Sequence, residues 1–269
     1  MILRVLDNDG FRDFDPGDVT PDDRGLLLGD GVFETFRVGD AGIRRSMDHR
    51  DRLAWACHAL DLPMPDWTQI DREAKRLSAN AHNTGRLTIT RGAGPRGLAS
   101  FKNIEPRVWL SLSECAPPSL SLRLHMSGMR RSRRSLTTQH KTLSYADNAA
   151  ARRGAEKAGF DMALCLTDAG DVSGADCANI FAIQGDQLLT PSEACAIRSG
   201  VTRKAVIDLA KQSGLSVEEG VFAPDRFFQC EAVMVTNSAM GVVPVSQIDG
   251  HMFDVDQSTL SALKDAEAR

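Results

Sequence analysis

The run His140-Lys141-Thr142-Leu143-Ser144-Tyr145-Ala146-Asp147-Asn148 places a lysine just before a helix start, near the middle of a 269-residue chain. Two readings are open for Lys141. It is a solvated cation near a helix terminus, or it is an amine placed to form a Schiff base, which a lysine does when its pKa is depressed. The residues on either side decide between them.

Downstream, Ala149, Ala150, Ala151 and Ala155 continue the helix and Gly159 stops it. Residues 162–166, 178–183 and 188–190 read as short strands joined by Asp/Gly turns. Gly200-Val201-Thr202-Arg203 opens a helix to about Ser213, with Gly214 as its cap. Strands at 231–236 and 242–248, a turn at Asp249-Gly250 and a last helix complete this half. Upstream, a strand at 120–126 leads to Arg130, Arg131, Arg133 and Arg134, read as a solvated basic loop in a chain of net charge -4. Two prolines make Cys115-Ala116-Pro117-Pro118-Ser119 the linker.

The first half opens with a strand over 2–6 and a turn at Asp7-Asn8-Asp9-Gly10. Gly29-Asp30-Gly31-Val32-Phe33-Glu34-Thr35-Phe36-Arg37-Val38 reads as a bent entry into a strand. Asp48 is the expected N-cap of a helix whose Leu53, Ala56, Cys57 and Leu60 share a face. A second helix follows Asp66, with Ile70, Ala74, Leu77 and Ala81 as its stripe and Gly85 as its stop. Strands over 86–91 and 108–113 follow. Strands and helices alternate on both sides of the linker. The expected fold is therefore α/β (α+β), with two mixed domains at 1–114 and 120–269, the second carrying Lys141.

Composition excludes several classes. Hydrophobic content of 42% and charged content of 25% are ordinary for a soluble globular protein. The mild net acidity gives no reason to expect nucleic acid or an anionic membrane as partner. No apolar run approaches the roughly 20 residues of a membrane span, and early charges argue against a signal peptide. The six cysteines form no C-x-x-C pair and read as reduced thiols of a cytoplasmic protein. The six histidines show no metal-ligand spacing.

Three constellations could carry chemistry. Gly92-Ala93-Gly94-Pro95-Arg96-Gly97 matches G-x-G-x-x-G. A dinucleotide site would need a helix starting inside that run, and Pro95 with the aperiodic residues after it opposes one. A tight loop projecting Arg96 is the reading adopted. Ser199-Gly200-Val201-Thr202-Arg203 is either an anion site at a helix N-terminus or simple capping. Thr236-Asn237-Ser238 is, on its own, a turn signal.

Taken in order, G-D-G-V-F-E-T-F-R-V, H-R-D-R-L, I-T-R-G-A-G-P-R-G, K-T-L-S-Y, V-S-G-A-D-C-A-N-I-F, S-G-V-T-R and T-N-S-A-M-G-V-V-P-V resemble the fold-type IV pyridoxal-phosphate enzymes. That family includes branched-chain and D-amino-acid aminotransferases and 4-amino-4-deoxychorismate lyase. The resemblance covers residues 2 to 250. It implies two α/β domains with pyridoxal 5'-phosphate between them and Lys141 as the Schiff-base lysine. It implies Arg52, the amides of Val201 and Thr202, and Asn237 and Ser238 as phosphate contacts, with Tyr145 against the phenolic oxygen. Arg96 matches an arginine that binds a substrate carboxylate from the loop of a partner subunit, so a homodimer is expected.

Phe33-Glu34-Thr35, R-G-x-G-x-R-G and N-S-x-x-G-V-x-P-V resemble the lyase branch, in which Thr35 is implicated in proton transfer. One position departs from the family. Gly174 stands where most members place a glutamate beside the pyridine nitrogen, a group that lets the ring accept electrons. Asp176 could substitute only if the strand is regular. The expectation is 4-amino-4-deoxychorismate lyase activity, with a branched-chain or D-amino-acid aminotransferase as the first alternative. A cofactor-free relative is the second.

Overall fold

The computed structural model describes residues 1–78, 83–99, 105–115 and 119–268. They fall into two compact units, Met1–Ala116 with His140–Tyr145, and Pro117–Gln139 with Ala146–Arg269. Of the expected linker, Ala116, Pro117 and Pro118 lie outside the described residues.

The first unit contains β1 (Ile2–Asp7), β2 (Gly10–Asp13), α1 (Arg24–Leu28), β3 (Gly31–Gly39), β4 (Gly42–Ile43), α2 (Ser46–Ala59), α3 (Trp67–Leu77), β5 (Asn83–Thr90) and β6 (Arg107–Glu114). The strands form one antiparallel sheet in the order β2-β1-β6-β5-β3-β4. Alternation along β3 sends Val32, Phe36 and Val38 into a core with Leu53, Ala56 and Cys57 of α2 and Ile70 and Ala74 of α3. Phe33, Thr35 and Arg37 therefore point to the other face. That division of β3 organises the chemistry of this unit.

Gly85 does not end a helix. It lies inside β5, where a Cβ would collide with the ring of Phe36. The second helix stops at Leu77, with the Ser78 amide donating to the Ala74 and Lys75 carbonyls. Ala81 lies outside the described residues. Asp48 is not an N-cap either: α2 begins at Ser46 behind Arg45, which adopts φ 54°. Asp48 sits instead in the first turn, where its charge complements the helix dipole. Helix α1, capped by Gly29 at φ 67°, had no apolar period to announce it.

The segment His140–Tyr145 groups with the first unit, whereas the division read from sequence assigned Lys141 to the second. The cause is backbone pairing. The Phe33 amide donates to the Lys141 carbonyl and the Leu143 amide to the Gly31 carbonyl, both at 2.9 Å, around a Val32/Thr142 bridge. Residues 141–143 thus run beside β3 as a short extra strand. Gly31 permits it, because a Cβ there would lie 2.6 Å from Leu143 Cδ1 and collide with the Ile89 carbonyl.

The second unit contains β7 (Leu122–Arg131), α4 (Leu136–Gln139), α5 (Ala146–Lys157), β8 (Met162–Thr167), β9 (Val172–Ala175), β10 (Asn179–Gln184), β11 (Gln187–Pro191), α6 (Val201–Gln212), β12 (Ser216–Gly220), α7 (Pro224–Phe228), β13 (Ala232–Asn237), β14 (Gly241–Ile248), β15 (His251–Met252) and α8 (Ser258–Ala268). The sheet order is β12-β11-β10-β13-β14-β7-β8-β9, with β15 on β14. Strands such as β8 and β13 are mostly apolar and buried nearly end to end because both sheet faces are covered. One face packs Leu164, Val233 and Val245, the other Phe181, Met234 and Leu260. β7 runs on to Arg131, which takes Arg130 and Arg131 out of the expected loop. Their guanidinium groups bond to protein carbonyls, and Arg133 pairs with Asp171. All six cysteines are free thiols. Among the described residues no helix is long and apolar enough to cross a membrane, and none cluster as metal ligands.

Candidate active site

In the first unit the short strand beside β3 aims Lys141 at the face opposite the core. Its Nζ lies 3.9 Å from the centroid of the Phe33 ring and 5.5 Å from that of Tyr145. The two rings meet edge to face at 5.2 Å. The Arg86 guanidinium carbon stands 3.8 Å from the same Phe33 centroid, and its Nε donates to Thr88 Oγ1 at 3.1 Å. Thr35 is the register partner of Arg86 across β3 and β5, so the two stand side by side on this face. One patch of sheet therefore presents an amine, a phenol, a hydroxyl and a guanidinium. That set can move a proton and hold a carboxylate.

Arg52 lies behind it, on α2. It grips Glu34 with two parallel bonds, Nε to Oε1 at 2.8 Å and Nη2 to Oε2 at 2.6 Å. His49 Nδ1 meets the same carboxylate at 2.9 Å, and both Glu34 and His49 are 1% exposed. Burial alone would raise the Glu34 pKa. The Arg52 charge and the bonds from His49 and Arg52 outweigh it and hold Glu34 at about 2. Burial also lowers the His49 pKa, against the pull of Glu34. Arg52 is thereby fixed at the end of a buried charge network. The same helix carries Trp55, whose ring lies 4.0 Å from that of His140.

In the second unit α6 opens at Gly200 with no side-chain cap, leaving the first amides of Val201 and Thr202 directed outward. The missing side chain of Gly200 makes room for Asn179, whose amide donates to the Arg198 carbonyl at 3.0 Å. Asn179 pairs in register with Thr236, so the loop after β13 lies beside this helix start. Thr236 Oγ1 is buried with no protein partner. An uncapped helix terminus and an orphaned hydroxyl beside it fit a phosphate group. Asn237 Oδ1 accepts from the Ala239 and Met240 amides at 3.0 and 2.8 Å, so its side chain shapes the loop.

Gly174 sits buried in β9. A Cβ there would lie 2.8 Å from the Ala178 carbonyl and 3.5 Å from Arg131 Nη1. Arg131 donates to the Ala175 carbonyl at 2.8 Å and to Ser173 Oγ at 3.4 Å. The Asp176 carboxylate is already engaged within the protein: it is bound by Arg152 at 2.9 and 2.7 Å and by the Ala163 amide at 2.7 Å. Arg96 is exposed on a loop in which no helix begins.

Among the described residues, the first unit gathers Lys141, Tyr145 and Thr35 and places Arg52 on the adjoining helix. The second gathers Val201, Thr202, Asn237 and Ser238. Glu34, His49 and Arg86 were given no role from the sequence, and Arg131 was read only as part of a solvated basic loop. Alternation alone would have flagged Glu34, a carboxylate on the core face of β3 that needs a buried cation.

An amine held against aromatic rings in one unit and a helix terminus suited to phosphate in the other are groups that a pyridoxal-phosphate enzyme uses. The chain belongs to the amino-transferase class IV family, whose model matches residues 31–248, and its cofactor is pyridoxal phosphate. It is 32% identical over 95% of its length to a Methanocaldococcus jannaschii protein, 91% of which is covered, provisionally named a branched-chain-amino-acid aminotransferase. It is 28% identical to the aminodeoxychorismate lyase of Bacillus subtilis, over 86% of this chain and 82% of that one. The structure of 4-amino-4-deoxychorismate lyase from Pseudomonas aeruginosa superposes with a TM-score of 0.82 at 26% identity, covering 92% of this chain and 93% of that one.

Proposed function

We propose that the chain is a 4-amino-4-deoxychorismate lyase, releasing 4-aminobenzoate and pyruvate, and that it works as a homodimer. Bound pyridoxal phosphate would supply an electron sink for the carbon that bears the substrate amine, with Lys141 as the residue that would hold it. Lys141 removes the proton from that ring carbon, with Thr35 on the same sheet face as the relay. The C–O bond to the enolpyruvyl group breaks, pyruvate leaves as its enol, and the ring becomes aromatic. The uncapped α6 terminus would hold the cofactor's phosphate, Arg52 would add positive charge, and Tyr145 would stand on the side of its phenolic oxygen. Arg96, from the partner subunit, holds a substrate carboxylate.

The observation that carries the reading is Gly174. β9 offers no carboxylate there, Arg131 fills the neighbourhood with positive charge, and Asp176 is committed to Arg152. A poorer electron sink penalises amino transfer more than an elimination driven by aromatisation. The holoenzyme should convert aminodeoxychorismate to 4-aminobenzoate and leave the visible absorbance of the bound cofactor unchanged by a panel of L- and D-amino acids. Conversion to the pyridoxamine form by any of them would sink the lyase assignment in favour of an aminotransferase.

A further inference from the structure

The glycine-rich loop that carries Arg96 is held from below by a charged clamp. Its start is tied by backbone. The Arg24 amide donates to the Gly92 carbonyl at 2.9 Å, the Gly94 amide to the Asp22 carbonyl at 3.3 Å, and Asp23 bridges Ala93. Beyond Gly94 one side chain grips the loop. Arg24 Nη1 donates to the Gly97 carbonyl at 2.9 Å and lies 3.5 Å from that of Pro95. Those carbonyls flank Arg96 on both sides.

Arg24 is 5% exposed, unusual for an arginine on a five-residue helix at the surface. It is held in turn. Asp30 accepts from Arg24 Nε at 3.2 Å and from Arg91 Nε at 2.8 Å, and Arg91 is anchored on the Leu60 and Asp61 carbonyls. Three charged groups thus connect the end of α2, the entry to β3 and the two peptide groups around Arg96. Gly92 makes the loop's sharp start possible, at φ 81° with no room for a Cβ against the Glu105 carbonyl.

We infer that Arg24 and Asp30 are positioning residues for Arg96, fixing the loop tip so that the exposed guanidinium meets a substrate carboxylate at a set height. This rests on the role proposed for Arg96. Pre-paid loop order shows up in substrate binding and little in the chemical step, because neither residue touches the reacting atoms.

The test compares holoenzyme variants Arg24→Lys, Asp30→Asn and Arg96→Ala, each checked for native cofactor absorbance and melting temperature. Lysine keeps the charge but cannot span from Asp30 to the Gly97 carbonyl, and asparagine keeps the shape of Asp30 without its charge. Both should raise KM about tenfold with kcat within about twofold of the parent, and trypsin should cut after Arg96 faster in both. An unchanged cutting rate overturns the clamp. Faster cutting with unchanged KM, where Arg96→Ala does raise KM, overturns the positioning role. If Arg96→Ala itself leaves KM unchanged, the reading of Arg96 fails, and the cutting rate alone decides whether the clamp exists.

Discussion

Glu34 is the residue on which the first unit's electrostatics turn. It sits on the core side of β3, one position from Phe33 and Thr35, and satisfies both Arg52 and His49. Its folded pKa of about 2 lies below the ordinary 4.5. A depressed carboxylate contributes stability that is present above the unfolded pKa and lost as pH falls through the folded one. That window runs from 4.5 down to about 2, and the contribution is on the order of 3 kcal/mol. His49, also depressed, adds loss in the same direction, beginning below its ordinary 6.5. Glu34→Gln should lower the melting temperature at neutral pH, since Arg52 is left buried without its counter-charge. It should also flatten the acid limb of the stability curve. If the variant loses as much stability as the parent between about pH 5 and pH 3, Glu34 does not govern that limb.

At the scale of elements, the short strand at 141–143 decides where the amine stands, and Gly31 decides whether that strand can form. Any side chain at 31 would press on the Ile89 carbonyl and on Leu143. Gly31→Ala should cost about 1–3 kcal/mol by overpacking and speed amide exchange at Leu143 and Phe33. Unchanged exchange at both would show that the pairing tolerates a Cβ. The same glycine illustrates what the sequence displays and what it hides. The blocks around Lys141, Gly200 and Thr236 were readable because helix starts and strand ends have composition rules. The strand after Gly29 was readable from its β-branched and aromatic residues. Gly85 misled because a glycine after a helical stripe looks like a stop, while its cause is the Phe36 ring across β3, a contact no local window contains. α1 has three exposed leucines and no period, and only Asp23 and Gly29 mark its ends. The partners of Asp176 and Arg131 were hidden for the same reason: Arg152, on α5, lies 24 residues from Asp176, and the Ala175 carbonyl, at the end of β9, lies 44 residues from Arg131.

The whole molecule raises a question that a single chain does not answer, which is whose Arg96 serves whose Lys141. The proposal of a homodimer with the arginine given across the interface makes a numerical prediction. Lys141→Ala and Arg96→Ala each remove one essential group, so each purified variant should be nearly inactive. In a dimer assembled from one copy of each, the site that keeps Lys141 belongs to the Arg96→Ala subunit. That site receives an intact arginine only if it comes from the other copy. Random mixing makes about half of the dimers hybrids, each with one complete site, so co-refolded variants should recover about a quarter of the parent activity. If Arg96 acts on its own subunit's site, no hybrid contains a complete site and mixing recovers nothing. Recovery that is absent although native mass measurement detects hybrid dimers would therefore assign the Arg96 loop, and with it the Arg24 clamp, to the subunit that carries them.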